Sequence, residues 1–376
     1  MATKSKSKAK SKPASKAKAP RRAPALAAAA SGGPVTLDEA LKLARARQPK
    51  RALRRRAPGA PPPATPGSVG EERERLEKER REDRARRMRE YADAMAIMKK
   101  RGARAPAPAA KKAPGKKRRR APGAPAAGFQ PLQVMAEGDS WFDYPPFIFK
   151  GGIIPRLQRL LGVPIMDMSK AGDEVRFMLG VQQRRRLTAL LRDGCPAGGP
   201  WDVLLFSGGG NDIVDNPMAL WVRDFDPNVP PAQLLNQPRF DIALGLVRAG
   251  YEDLIALRDQ FSPTTHLVFH GYDFAIPDGR GVCHLGPWLK PTFDLRGFPN
   301  RASATAVVEA MLTQFAAMLG ALAAAHPRVS FINGQGTLPR QTSAWHNELH
   351  PDTAGYDKFT ALFRDRLKAL FPGRVV

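Results

Sequence analysis

The chain has 376 residues, with 61 Lys and Arg against 35 Asp and Glu, and 43% of its residues are hydrophobic. The charge is uneven: residues 1–130 hold 37 basic against 11 acidic side chains, whereas residues 131–376 hold 24 of each. This pattern excludes a uniformly disordered chain, because the neutral stretch is long enough to bury a large core without staples. The two cysteines, Cys195 and Cys283, exclude a disulfide framework or a zinc-finger spacing and leave one bridge between them open.

Residues 1–20 are almost entirely Lys, Ser, Ala and Pro, a composition that cannot bury enough apolar surface to offset the entropy of ordering, so disorder is expected. Arg21-Arg22 followed by an alanine run is the nearest approach to an export signal. It contains Pro24 and only Leu26 as a strongly apolar residue, no run approaches a membrane span, and the expected location is cytoplasmic. Thr36-Leu37-Asp38-Glu39 has the spacing of a capping box and predicts a short helix over about 36–47. A proline-rich linker at 58–66 precedes a second predicted helix over about 71–100, where Glu and Arg interleave at i,i+4 spacing. Tyr91, Met95 and Met98 offer only a narrow apolar stripe. The expectation is a solvated helix with Met88, Met95 and Met98 touching the domain. A second basic cluster at 111–120 completes an extension ending at residue 130. Such clusters neutralise phosphates without reading sequence, so the extension is expected to bind nucleic acid or another polyanion non-specifically.

From residue 131 the pattern changes. Apolar runs at 132–136, 163–168, 203–206, 266–270 and 329–333 alternate with helical patterns at 153–161, 175–191, 241–260, 304–325 and 354–370. Strands separated by helices predict an α/β fold: a three-layer α/β/α sandwich around a five-stranded parallel sheet, flavodoxin-like in outline. Sites in such sheets lie beyond the carboxyl ends of the strands.

The loops expected there carry unusual residues. The first run breaks at Gly138, and Asp139 and Ser140 follow, which makes Ser140 a candidate nucleophile. After the second run comes Ser169-Lys170-Ala171-Gly172-Asp173, where the Gly172 N–H is free to point into the same crevice. After the third comes Ser207-Gly208-Gly209-Gly210-Asn211-Asp212. It lacks the Lys-Ser or Lys-Thr of a phosphate loop, and the last glycine of a dinucleotide fingerprint would fall on Ile213. What it allows is close approach of backbone and the Asn211 amide to something small. Near the end stands Trp345-His346-Asn347-Glu348-Leu349-His350-Pro351-Asp352. His346 and His350 are spaced as on a zinc-binding helix, but Glu does not follow the first His, and Pro351 marks a turn. No metal site is expected, and His350 remains free to reach back to Ser140.

Gly138-Asp139-Ser140-Trp141, Gly172, Gly209-Gly210-Asn211-Asp212 and Leu349-His350-Pro351 together resemble, in order, the four blocks of the SGNH, or GDSL-type, hydrolases. The resemblance covers about residues 132–372 and none of the extension. It implies an ester hydrolase that works through an acyl-enzyme on a small-molecule ester and needs no cofactor. In it Ser140 is the nucleophile, His350 the base, and Gly172 and Asn211 join the Ser140 N–H as oxyanion donors. Trp141 stands where the name has Leu, and the acid three residues before the histidine is replaced by Asn347. An amide accepts from a histidine with one end and donates with the other, so it can hold either tautomer. Asp352, Glu348, Asp143 and Asp273 are carboxylates that could stand in. The vacated acid also leaves a second reading, a binding protein of the same fold with weak hydrolysis, anchored by its basic tail. Two long connections, 213–240 and 275–300, carry Trp221, Phe225, Trp288, Phe293 and Phe298. They are read either as walls of an acyl or alcohol pocket or as cover for the sheet edge.

Overall fold

The computed structural model describes residues 33–48, 69–104, 106, 130–144, 151–282 and 285–375. The tail at 1–20, Arg21-Arg22, the linker at 58–66, the basic cluster at 111–120 and Cys283 lie outside the described residues. Two helices precede the sheet, α1 (Leu37–Arg47) and α2 (Val69–Arg101). The sheet comprises β1 (Val134–Gly138), β2 (Ile165–Asp167), β3 (Val203–Ser207), β4 (His266–His270) and β5 (Val329–Ile332). Every pairing is parallel, in the order β2-β1-β3-β4-β5. Helix α3 (Ile153–Leu161) follows β1, α4 (Val175–Met178) and α5 (Val181–Asp193) follow β2, and α6 (Gly210–Ile213) and α7 (Gln237–Phe261) follow β3. After β4 come α8 (Lys290–Leu295) and α9 (Arg301–Ala325), and α10 (Thr353–Leu370) follows β5. Helices α3 and α10 pack together, and α5, α7 and α9 pack side by side, which gives the predicted three layers.

β1 and β3 are buried along their whole length, which is why they read as unbroken apolar runs. The strand order reverses between them, and a crevice opens there at their carboxyl ends. Register sets Gly138 opposite Ser207. The chain therefore leaves β1 towards Ser140 beside the chain leaving β3 towards Asn211. Gly138 is required by closeness: a Cβ there would lie 2.8 Å from the Phe142 ring and from Ser207 Cβ. The predicted helix at 175–191 is two helices, with Gly180 as the N-cap of α5.

The helix expected at 71–100 touches the domain through Met88, Met95 and Met98 as expected, but its second half is buried more deeply than a solvated helix. Tyr91, Ala94, Met95, Ile97 and Met98 are at most 2% exposed and share one core with Leu132, Val134 and Trp201. Residues 91, 94, 95 and 98 follow the i, i+3, i+4, i+7 stripe of a core-facing helix. Ala94 keeps that stripe inconspicuous in sequence. Each large apolar side chain buried there contributes about 1.5–3 kcal/mol. Arg87 reaches Asp167 at 3.2 Å, and Lys99 reaches the Gly198 carbonyl at 2.6 Å. Helix α1 joins through buried Ala40 and Ala44, and its capping box at Thr36 is formed. Helix α1 and the second half of α2, N-terminal to residue 130, therefore share one core with the sheet.

The expectation that no run approaches a membrane span also needs correction. By length and composition α9 is apolar enough to cross a membrane, with a mean hydropathy of 1.6 over its best window. Its Val307, Met311, Phe315 and Leu319 are instead buried in the domain.

Candidate active site

Ser140 emerges from the turn after β1, where Asp139 N–H donates to the Ser207 carbonyl at 3.0 Å and the Asp139 carbonyl accepts from Phe142 and Asp143. His350 lies in a closed loop. The Trp345–Pro351 bridge and the His346 N–H to His350 carbonyl bond at 2.9 Å join its two sides. The two halves meet through Trp141, whose indole N–H donates to the Leu349 carbonyl at 3.2 Å. The tryptophan standing in for leucine thus ties the nucleophile turn to the histidine loop. The Ser140 hydroxyl lies 2.7 Å from His350 Nε2, and His350 Nδ1 lies 2.9 Å from Asn347 Oδ1.

Which end of the Asn347 amide faces His350 is decided by the turn. The same oxygen accepts the backbone N–H groups of Leu349 and His350, both at 3.0 Å. Only an oxygen can accept two N–H groups, so His350 must carry its proton on Nδ1 and present the Nε2 lone pair to Ser140. This is the tautomer a general base needs. What the amide lacks is charge. Burial, and then the neighbouring His346, hold the His350 imidazolium down to about 3, so the ring is neutral well into acidic pH.

The four carboxylates considered as substitutes are engaged elsewhere. Glu348 accepts the backbone N–H groups of Gly279, Trp288, Leu289 and Lys290, which pins the 275–300 connection beside the histidine loop. Asp273 accepts from Gly336 and Leu338, Asp352 caps α10 at Gly355, and Asp143 faces Arg87. The spacing of His346 and His350 does not bring their rings to one point either: His350 meets Ser140, and His346 Nδ1 meets Tyr144 Oη at 2.6 Å.

Gly172 sits in a left-handed turn (φ 78°). The Lys170 N–H to Gly138 carbonyl bond at 2.8 Å holds that turn against the nucleophile loop. Asn211 Nδ2 donates to the Asp173 carbonyl at 2.9 Å, so one amide hydrogen anchors this turn and one is left to give. Gly209 needs its left-handed conformation (φ 101°), and a Cβ there would lie 2.6 Å from the Phe315 ring. Ser140, Asn211 and His350 line a cavity of about 40 Å³ whose walls are chiefly Val214, Ala275, Leu289, Val308, Met311 and Leu312. Gly172 is not among its lining residues.

Three of the four motif blocks, those of Ser140, Asn211 and His350, therefore meet at one cavity, while the Gly172 turn is tied to the nucleophile loop beside it. The fold is a three-layer α/β/α sandwich around a five-stranded parallel sheet. No family model matches the chain, and no curated protein does. Among solved structures, a lipase from a goat rumen metagenome is 17% identical and covers 65% of this chain and 100% of its own, with a TM-score of 0.42. An extracellular lipase from Streptomyces rimosus is 16% identical, with coverages of 62% and 99% and a TM-score of 0.39. A carbohydrate esterase family 3 protein from Talaromyces cellulolyticus is 12% identical, with coverages of 64% and 97% and a TM-score of 0.36.

Of the five aromatic residues named on the long connections, only Trp288 meets the candidate site, with its ring 5.8 Å from that of His350. Phe225, Phe293 and Phe298 pack on one another, and Trp221 packs on Phe240. Cover for the sheet edge is the better description of these four. Beneath the site lies a second set that motif reading missed. Ser207 Oγ is 2.7 Å from His270 Nε2 and donates to Asp139 Oδ1 at 2.9 Å, while Tyr272 Oη donates to Asp139 Oδ2 at 2.5 Å. Burial pushes the Asp139 carboxyl up to about 6, although hydrogen bonds from Tyr272, Trp141 and Ser207 oppose it, and pushes His270 down to about 4. The sequence signal was a polar residue at the end of each of two strands with apolar interiors, Ser207 on β3 and His270 on β4.

Proposed function

We propose that the protein is a serine ester hydrolase acting through an acyl-enzyme. The observation that carries this reading is the Ser140 hydroxyl at 2.7 Å from a His350 Nε2 whose lone pair is fixed towards it, at the wall of an apolar cavity. His350 takes the Ser140 proton as Oγ attacks the ester carbonyl, then returns it to the leaving alcohol. Water, deprotonated by the same ring, releases the acyl group. The developing oxyanion is met by the Ser140 and Gly172 N–H groups and by the second hydrogen of the Asn211 amide.

The cavity's walls are mainly aliphatic, with Trp141 and Tyr272 beside them, and its volume is about 40 Å³. These features favour an ester with a short acyl group. In serine proteases an amide in place of the acid costs about 10⁴ in kcat, largely because it holds the wrong tautomer. Here the tautomer is the right one, so the remaining cost is the missing charge.

A fluorophosphonate probe labels only an activated serine. Labelling is expected at Ser140, and Asn211→Ala is expected to lower kcat on a short-chain ester by roughly a hundredfold. An unlabelled protein, or a label on another serine, would overturn this reading.

A further inference from the structure

The following rests on the assignment of Ser140 and His350 as nucleophile and base. Asn347 is fully buried, and every hydrogen-bonding group on its amide is engaged. Its Oδ1 accepts the backbone N–H groups of Leu349 and His350 and the His350 Nδ1–H, while its Nδ2 donates to Tyr144 Oη at 3.1 Å. An amide nitrogen has only hydrogens to give, so Tyr144 Oη is the acceptor in that bond and keeps its own proton for another partner. His346 Nδ1 lies 2.6 Å from that oxygen, and we take it as the acceptor of the tyrosine proton. The groups facing His346 include Tyr144, the Asn347 amide nitrogen at 3.5 Å, and Arg280, whose guanidinium reaches the His346 carbonyl. Burial and Arg280 lower the His346 pKa, which favours the neutral ring that can accept.

The chain of donors runs in one direction. His350 Nδ1–H points to the amide oxygen, the amide N–H points to the tyrosine oxygen, and the tyrosine O–H points to His346 Nδ1. As His350 takes the Ser140 proton and becomes positive, each bond polarises the next, and electron density is drawn back along the chain towards Asn347 Oδ1. No proton needs to leave its own atom. We propose that Tyr144 and His346 are positioning residues that polarise the Asn347 amide, so that it supplies part of the stabilisation a carboxylate would give the imidazolium. The Tyr144 ring also lies 4.5 Å from that of His350, a contact that phenylalanine would keep.

The test uses the full chain and 4-nitrophenyl acetate. Tyr144→Phe is expected to lower kcat by about tenfold with KM within about twofold, because the lost interaction strengthens only in the transition state. His346→Phe should behave alike, whereas His346→Asn, which offers a carbonyl near the position of Nδ1, should retain kcat within about twofold. Proton NMR supplies a readout independent of turnover: the His350 Nδ1–H resonance should move upfield in Tyr144→Phe as its hydrogen bond weakens. A folded Tyr144→Phe variant with unchanged kcat and an unchanged resonance would overturn the proposal, as would a rise in KM at constant kcat. If the wild type hydrolyses no ester, the functional assignment fails, and the resonance alone decides the network.

Discussion

Two serine–histidine pairs stand at the carboxyl ends of neighbouring strands, and both have Oγ 2.7 Å from Nε2. In the buried pair, Ser207 and His270, a carboxylate is present, but Asp139 accepts from the Ser207 hydroxyl and not from the His270 ring, whose Nδ1 faces the Gly271 carbonyl. Both residues are fully buried, with no room for a carbonyl carbon beside Ser207. Ser140 and His350 are backed only by an amide, yet they line a cavity with Asn211 on its wall. The pair geometry by itself therefore does not make a nucleophile. Under the proposed reading, access for the substrate and nearby donors single out Ser140, and the buried pair serves to tie β1, β3 and β4 together.

The largest effect is expected from breaking the open pair. Ser140→Ala and His350→Ala should each lower kcat on a short-chain ester by at least about 10³-fold while the thermal midpoint moves little, since both residues sit at the cavity wall. If either variant keeps a tenth of wild-type kcat, the open pair is not the catalytic one.

Breaking the buried pair should do the reverse. Ser207→Ala leaves Asp139 and His270 without a shared partner in a buried site, which should cost about 1–3 kcal/mol of stability. Its kcat should stay within roughly fivefold of wild type. Chemical denaturation and initial rates on the same preparation check both halves. A rate loss larger than that of Ser140→Ala, with little change in stability, would exchange the roles of the two serines.

The smallest and most discriminating change gives the open pair the carboxylate it lacks. Asn347→Asp would accept the same three N–H groups and the Tyr144 proton, and kcat is expected to rise or stay within about threefold. The pH profile has a definite sign. In the wild type His350 is held down to about 3, so its active neutral form is full across about pH 5–8 and its titration adds no acid limb there. A carboxylate at 347 raises the pKa of the folded enzyme's histidine, so activity should fall as pH drops through that higher value. Rates measured across this range with both proteins test it. A tenfold loss in a folded Asn347→Asp protein would mean that the amide hydrogen on Tyr144 cannot be replaced.

The residues alone determined the five-stranded sheet, because strands buried on both faces need continuous apolar runs wherever they occur. They also determined which loops carry the reactive groups, because glycine is needed wherever backbone must approach closely, as at Gly138 and Gly209. Helix α2 was only half legible. Its charge dominates the composition, while its burial depends on a surface formed by Leu132 and Trp201, far along the chain. The tertiary structure alone decided the orientation of the Asn347 amide, since it depends on two backbone N–H groups that converge only when the loop closes between Trp345 and Pro351. It also decided that Tyr144 meets Asn347 and that Asp139 meets Tyr272. Hydrogen bonds act over about 3 Å in space, and no pattern of residue types records which side chains from separate loops will come that close.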